Sequence, residues 1–323
     1  MAENQTIPIN SSFPDLRKLI VSNPDGSYTR LLQLPTVPPN SSSSHVLTKD
    51  IQINSVNKTW LRIYLPRHIL DSSSNRLPLL VYYHGGGFIF TTADSTINHD
   101  FCIIMSQRID AVIVSVEYRC APEHRLPAAY DDAFEALEFI KSSQEDWLTQ
   151  FTDVSRCFLM GTSAGGNIAY HTGLRVCRSG RELEPLKIQG LVLHHPYFGG
   201  LERTGSELKM GNECSFPLDG NDFLWEFSLP VGSDRDHEYC NPMGSSTNSC
   251  QFIREAGLRI LVLGCYGDPL IDRHMEFAKM LEDKGVMTVA HFSEGCHGAE
   301  LMDSSKAELL FLILKDFFFS GMQ

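Results

Sequence analysis

Short, almost uninterrupted apolar runs alternate along much of this chain with stretches whose apolar residues recur every three or four positions. The runs fall at 79–83 (LLVYY), 111–116 (AVIVSV), 157–160 (CFLM), 188–193 (IQGLVL), 260–263 (ILVL) and 286–292 (VMTVAHF). Runs this short without polar alternation predict strands buried on both faces. Between them, residues 127–140 place Tyr130, Ala133, Phe134, Leu137 and Ile140 on one helical face. Pro127 stands near the start, where a missing N–H costs nothing. Residues 166–177, 272–284 and 304–319 also read as helices. Strands and helices in alternation predict an α/β protein with a mainly parallel sheet covered on both faces.

The ends of the pattern are less regular. Phe13, Leu16, Leu19 and Ile20 predict a short amphipathic helix, and Asn23-Pro24-Asp25-Gly26 a turn. Residues 35–44 (PTVPPNSSSS) read as a polar, mobile connection. Leu61, Ile63 and Leu65 alternate as in a half-buried strand, and 71–76 (DSSSNR) read as a loop. The stretch 199–250 breaks the rhythm with glycines, prolines, charges and Trp225, but no clear strand. An insertion of this kind in an α/β protein is expected to lie over the strand ends as part of a lid. No internal repeat is present.

Composition narrows the class. A length of 323 residues allows one or two domains, and 42% hydrophobic with 20% charged residues excludes global disorder and a small disulfide scaffold. With 39 acidic and 27 basic residues the net charge is −12, which disfavours nucleic acid and anionic lipid as partners. The nine cysteines are scattered without a CxxC pair, so free thiols in a reducing compartment are expected. The N-terminus has no basic region followed by an apolar one, so no secretory signal is read and a cytoplasmic location is expected. On that reading the sequons at Asn4, Asn10, Asn40 and Asn57 go unused. The longest apolar run, Leu309 to Leu314, is too short for a membrane span.

Two motifs carry chemistry. Gly161-Thr162-Ser163-Ala164-Gly165 lies between a predicted strand and a predicted helix. A serine on such a sharp turn needs small flanking residues, and the turn lifts it above the sheet at a helix N-terminus. His84-Gly85-Gly86-Gly87 follows the run LLVYY, and consecutive glycines let backbone N–H groups face a developing oxyanion. A serine nucleophile needs a base oriented by an acid. His297, after the last predicted strand, and Asp268, at the end of ILVL, complete the order Ser…Asp…His. Asp272 is the alternative acid, although its place in the following helix suits a structural or capping group. His195, at a strand end before Pro196, is a pocket-lining candidate. No HExxH or carboxylate–histidine spacing points to a metal, and no cofactor is expected.

With these motifs assembled, the sequence resembles the plant carboxylesterases of the hormone-sensitive-lipase-like group in the α/β-hydrolase superfamily. The resemblance runs from about residue 13 to 318 and rests on YYHGGGF (82–88), VEYRCAPEHRLPAAYDDA (116–133), GTSAGGN (161–167), GDPLID (267–272) and the CHG histidine. It implies one α/β-hydrolase domain over 1–323, with cap elements at about 1–45 and 199–240. It also implies a triad of Ser163, Asp268 and His297, an oxyanion hole from Gly85, Gly86 and Ala164, and a structural His84. Relatives often carry an acidic or other polar residue at Thr162, leucine at Cys120 and an aromatic at Cys296. The gibberellin-receptor branch lacks the triad histidine, and the isoflavanone dehydratase branch typically has threonine as nucleophile. Ser163 and His297 favour hydrolysis over both.

The expected activity is therefore serine carboxylesterase action on small or medium esters, including acetyl esters, of plant metabolites. The partner is a small molecule, and the chain is expected as a monomer or weak homodimer. Elimination or cyclisation on the same scaffold, and a non-catalytic hormone receptor, are the alternatives. Phe88, His195, Tyr197, Trp225 and Leu270 are candidate substrate contacts, with Phe90, Phe216 and Phe223 beside them.

Overall fold

The six apolar runs and the stretch 61–65 all enter one eight-stranded sheet. The computed structural model describes residues 16–43, 45–71, 76–179, 183–211, 217–244 and 248–320. A hairpin of β1 (Ile20–Ser22) and β2 (Tyr28–Arg30) comes first. The sheet follows with β3 (Val46–Asn54), β4 (Thr59–Pro66), β5 (Leu77–Tyr83) and β6 (Val112–Glu117). It is completed by β7 (Thr152–Thr162), β8 (Ile188–His194), β9 (Arg259–Cys265) and β10 (Met287–Ser293). Their spatial order is β10-β9-β8-β7-β5-β6-β4-β3. β4 pairs antiparallel with β3 and β6, and every other pairing is parallel.

Five of the runs lack alternation because both faces are covered; the expectation fails for β10, an edge strand on which Met287 and Val289 are exposed. On β5, Leu79, Val81 and Tyr83 enter one core while Leu80 and Tyr82 enter the other. β7, β8 and β9 divide in the same way. The first face is packed by α2 (Ala128–Ser142), α4 (Ala164–Ser179) and α8 (Ile271–Asp283). The second is packed by α1 (Thr96–Ile109) and α10 (Ser304–Phe319). Shorter helices are α3 (Asp146–Gln150), α5 (Gly205–Met210), α6 (Leu218–Ser228), α7 (Asn248–Glu255) and α9 (Ala299–Met302).

Several expectations change at the N-terminal side. The stretch expected as an amphipathic helix is a 3-10 turn, Leu16–Lys18, leading into β1, and Phe13 lies outside the described residues. The Asn23–Gly26 turn closes the hairpin through the Gly26 N–H to the Asn23 carbonyl at 3.0 Å. Residues 35–37 are fastened, not loose: Val37 N–H donates to Asp94 O and Thr96 N–H to Pro35 O. β4 is buried on both faces, because Arg62 pairs with Asp50 of β3 at 2.6 and 2.7 Å and Tyr64 enters the second core. α1 has a buried face that includes Asn98, His99 and Ser106, and this polar content hides its period from the sequence.

The 199–250 stretch contributes helices and no strand among its described residues. α6 lies on the glycine loop after β5: a Cβ built at Gly87 would meet Leu224 Cδ1 at 2.6 Å. Arg125 donates to the carbonyls of Glu226 and Leu229, and Leu126 N–H to Ser228 O. The N-terminal segment packs on the same helix, with Tyr28 edge-on to Phe227 at 5.9 Å and Arg17 paired to Asp219 at 3.0 Å. The loops after β5, β7, β8, β9 and β10 leave the carboxyl ends of parallel strands, where open α/β sheets place ligands.

Candidate active site

The turn from β7 into α4 exists because residues 161 and 165 lack side chains. A Cβ on Gly161 would lie 2.0 Å from the Gly165 carbonyl oxygen, and one on Gly165 would lie 1.9 Å from Tyr83 O. Ser163 itself adopts φ +57°, a left-handed conformation uncommon for a non-glycine residue. Backbone bonds fix it there: its N–H donates to His194 O at 2.8 Å, and its carbonyl accepts from Tyr197 N–H at 2.9 Å. Asn167 locks the elbow from below, donating to Tyr197 O and Tyr239 O and accepting from Tyr130 OH.

The three residues expected as nucleophile, base and acid meet here, brought from the ends of β7, β9 and β10. Ser163 Oγ lies 2.9 Å from His297 Nε2, and His297 Nδ1 lies 2.7 Å from Asp268 Oδ2. Asp268 is fully buried, and its other oxygen accepts the Leu270 N–H at 2.9 Å. Burial works against its charge, but the imidazoles of His297 and His195 outweigh it and hold the carboxyl well below the usual range. Asp272, the alternative acid, is spent elsewhere: it accepts from Ser206 N–H of α5 at 2.7 Å.

The glycine loop crosses directly over this pair. A Cβ on Gly85 would come within 3.0 Å of Thr162 O and 3.4 Å of Ser163 Cβ, and Gly86 has φ +94°. Side chains take the loop's carbonyls: Thr91 Oγ1 donates to Gly85 O at 2.8 Å and Tyr118 OH to His84 O at 2.9 Å. Gly85 and Gly86 N–H donate to no backbone carbonyl among the described residues. Ala164 opens α4, where the first N–H groups have no intrahelical partner. Three donors are thus left free of the backbone's own carbonyls around Ser163. His84 is buried beneath the loop, stacked on Tyr118 at 4.2 Å with Nδ1 2.9 Å from Thr91 Oγ1.

The candidate substrate contacts are placed differently. Phe88, Tyr197 and Trp225 enclose one another, with Tyr197 and Trp225 stacked at 4.4 Å and all three buried. Leu270 is also fully buried. Phe90 and Phe223 are partly exposed beside the core, and Phe216 lies outside the described residues. Thr162 joins three strands, bonded to Tyr82 OH and His194 Nδ1 at 3.0 Å each. The eight cysteines among the described residues are free. Burial pushes up the Cys120 thiol.

Sequence reasoning missed what stands behind Asp268. His195 Nδ1 reaches Asp268 Oδ2 at 2.9 Å, and Glu300 of α9, which was not singled out, lies 3.2 Å from His195 Nε2. Glu300 stands in the first turn of α9, which opens directly after His297 and Gly298. His194, His195 and Glu300 also bring metal-ligand atoms within 4.8 Å of one another, as do His195, Asp268 and His274. Carboxylate–histidine proximity absent from the linear spacing is therefore present in space.

A family described as alpha/beta hydrolase fold matches residues 80–301. The chain is 47% identical over 310 residues to Carboxylesterase 20 of Arabidopsis thaliana, covering 93% of this chain and 95% of that one. It is 46% identical over 309 residues to the 3-O-acetylpapaveroxine carboxylesterase CXE2 of Papaver somniferum, covering 91% and 95%. Among solved structures, the Pyrobaculum calidifontis esterase superposes with a TM-score of 0.69 at 26% identity, covering 84% of this chain and 85% of that one.

Proposed function

The chain belongs to the alpha/beta hydrolase fold family, and from that premise we propose that it is a serine carboxylesterase acting on small or medium esters. The observation that supports this most directly is the unbroken hydrogen-bond line Ser163 Oγ–His297–Asp268, at 2.9 and 2.7 Å. Ser163 attacks the ester carbonyl carbon while its proton passes to His297 Nε2. The N–H groups of Gly85, Gly86 and Ala164 receive the oxyanion of the tetrahedral intermediate. His297 then protonates the departing alcohol, leaving Ser163 acylated. Asp268 holds the imidazole with Nδ1–H toward itself and stabilises the imidazolium in both steps. Water, deprotonated by His297, releases the acid. No cofactor enters any step.

Acetyl esters of plant metabolites are the favoured substrates in this reading. The relative named for a 3-O-acetyl compound supports an acyl group of that size. The α6 segment and the N-terminal residues packed on it form the cap, which selects the alcohol part.

Replacing Ser163 with Ala is expected to lower kcat on p-nitrophenyl acetate by roughly 10⁶, the scale of serine-triad knockouts. Retention of most of the rate would refute the mechanism. A series from acetyl to octanoyl esters tests the acyl preference, with kcat/KM expected to fall as the chain lengthens.

A further inference from the structure

We propose that His195 and Glu300 are positioning residues for Asp268, with His195 held as an imidazolium between the two carboxylates. This rests on the serine-esterase reading and adds a charged pair behind its acid.

The charge on His195 follows from its hydrogen-bond partners. His195 points Nδ1 at Asp268 Oδ2 (2.9 Å) and Nε2 at Glu300 Oε2 (3.2 Å). A neutral imidazole carries one N–H and cannot donate to both, whereas the cation donates to each. The ring is buried, so water is not the alternative partner. The groups facing it are Asp268 beyond β9, Cys265 at the end of β9 (Sγ 3.7 Å from Nε2), Glu300 of α9 and His297 before α9. His194 on β8 and His274 on α8 complete the shell.

The neighbours leave the proton with His195. Burial, with the neighbouring His195, holds His194 below the ordinary imidazole value, and its Nδ1 lies 3.0 Å from Thr162 Oγ1. His194 is therefore a neutral ring, with Nε2 3.5 Å from Glu300. Burial also keeps His274 neutral, pushed down to about 3. For His195, burial opposes charge, but Asp268, Cys265 and Glu300 hold it well above the ordinary imidazole value. Its backbone is constrained as well: φ is +46° immediately before Pro196, and its N–H is bonded to Leu263 O at 2.9 Å.

The consequence concerns Asp268 Oδ2, which receives both His195 and His297. With His195 charged, Asp268 alone would have its negative charge cancelled, and the His297 imidazolium formed in catalysis would lose support. Glu300 restores one net negative charge to the cluster. Removing that charge disfavours protonation of His297, so the active form persists to lower pH while the base becomes weaker.

The first test is ring-nitrogen NMR of histidine-labelled wild-type protein at pH 8. His195 is assigned by the signals lost in His195→Gln or, if that variant does not accumulate, His195→Asn. Both nitrogens are expected protonated. The second is the pH profile of Glu300→Gln. The acid limb of kcat/KM should move down by roughly 0.5–1 pH unit and kcat should fall about tenfold, with KM changed less than about twofold. A singly protonated His195 at pH 8 overturns the proposal. So does an unmoved acid limb with a uniformly lower rate, the mark of a merely structural glutamate. One equivalent of zinc in the purified protein also overturns it, because a metal would replace the proton on Nε2. The NMR result does not depend on turnover, so failure of the esterase reading would be recognised separately through Ser163→Ala.

Discussion

Gly165 shows how tightly single atoms constrain the elbow. Its missing Cβ would lie 1.9 Å from Tyr83 O and 2.7 Å from His84 O, both backbone atoms that cannot swing aside. Gly165→Ala is therefore expected to cost more than the roughly 1–3 kcal/mol of ordinary overpacking, and to displace the glycine loop from Ser163. Chemical denaturation and residual esterase rate measure the two effects. At this scale the sequence was informative where chemistry needs a fixed local pattern: G-T-S-A-G could be read because the same five residues make the turn. Glu300 could not be read, because nothing adjacent in the chain marks it as facing His195.

At the level of elements, packing fixes α6 to the glycine loop. Leu224 meets Gly87, Trp225 stacks on Tyr197, and Arg125 holds the helix end. Trp225→Ala removes a fully buried side chain and is expected to destabilise the protein by about 3–5 kcal/mol. Because the void opens beside Phe88 on the glycine loop, kcat/KM should fall as well. A melting curve beside steady-state kinetics checks both, and unchanged kinetics would separate α6 from the glycine loop's role. Strands buried on both faces were legible as apolar runs, and α2, α4, α8 and α10 from their periods. α1 and β3 were missed because polar residues share their buried positions: Asn98 and His99 on one, Thr48 on the other.

For the whole molecule, the buried histidines predict how stability varies with pH. His171 and His274 are each pushed down to about 3 by burial from an ordinary value of 6.5. Below about pH 6.5 the unfolded chain takes up protons that the folded chain refuses, so stability falls with acid. His195 acts oppositely: its raised folded value gives stability that is full below about 6.5 and is lost as pH rises above it. Asp268 and Glu300 are depressed in the fold, so their contribution is present above about 4.5 and lost below. Stability should peak near pH 6–7. His171→Phe, which keeps an aromatic ring against Tyr130, should reduce the acid-side slope by up to about 1.4 kcal/mol per pH unit. Denaturant midpoints between pH 4 and 8 measure it, and an unchanged slope would mean His171 is not held neutral.

The sequence by itself determined the alternation of strand and helix, the serine on its turn, the glycine loop, and the order of serine, acid and base. The first three are written in residues close along the chain, where backbone sterics and periodicity act, and the order is read from where each residue stands after its own strand. Only the tertiary structure decided what surrounds the acid. His195 stands 73 residues before Asp268 and 105 before Glu300. They meet because β8 and β9 lie side by side in parallel and α9 returns beneath their carboxyl ends. Strand order and packing set that meeting, and local sequence preference carries no record of either.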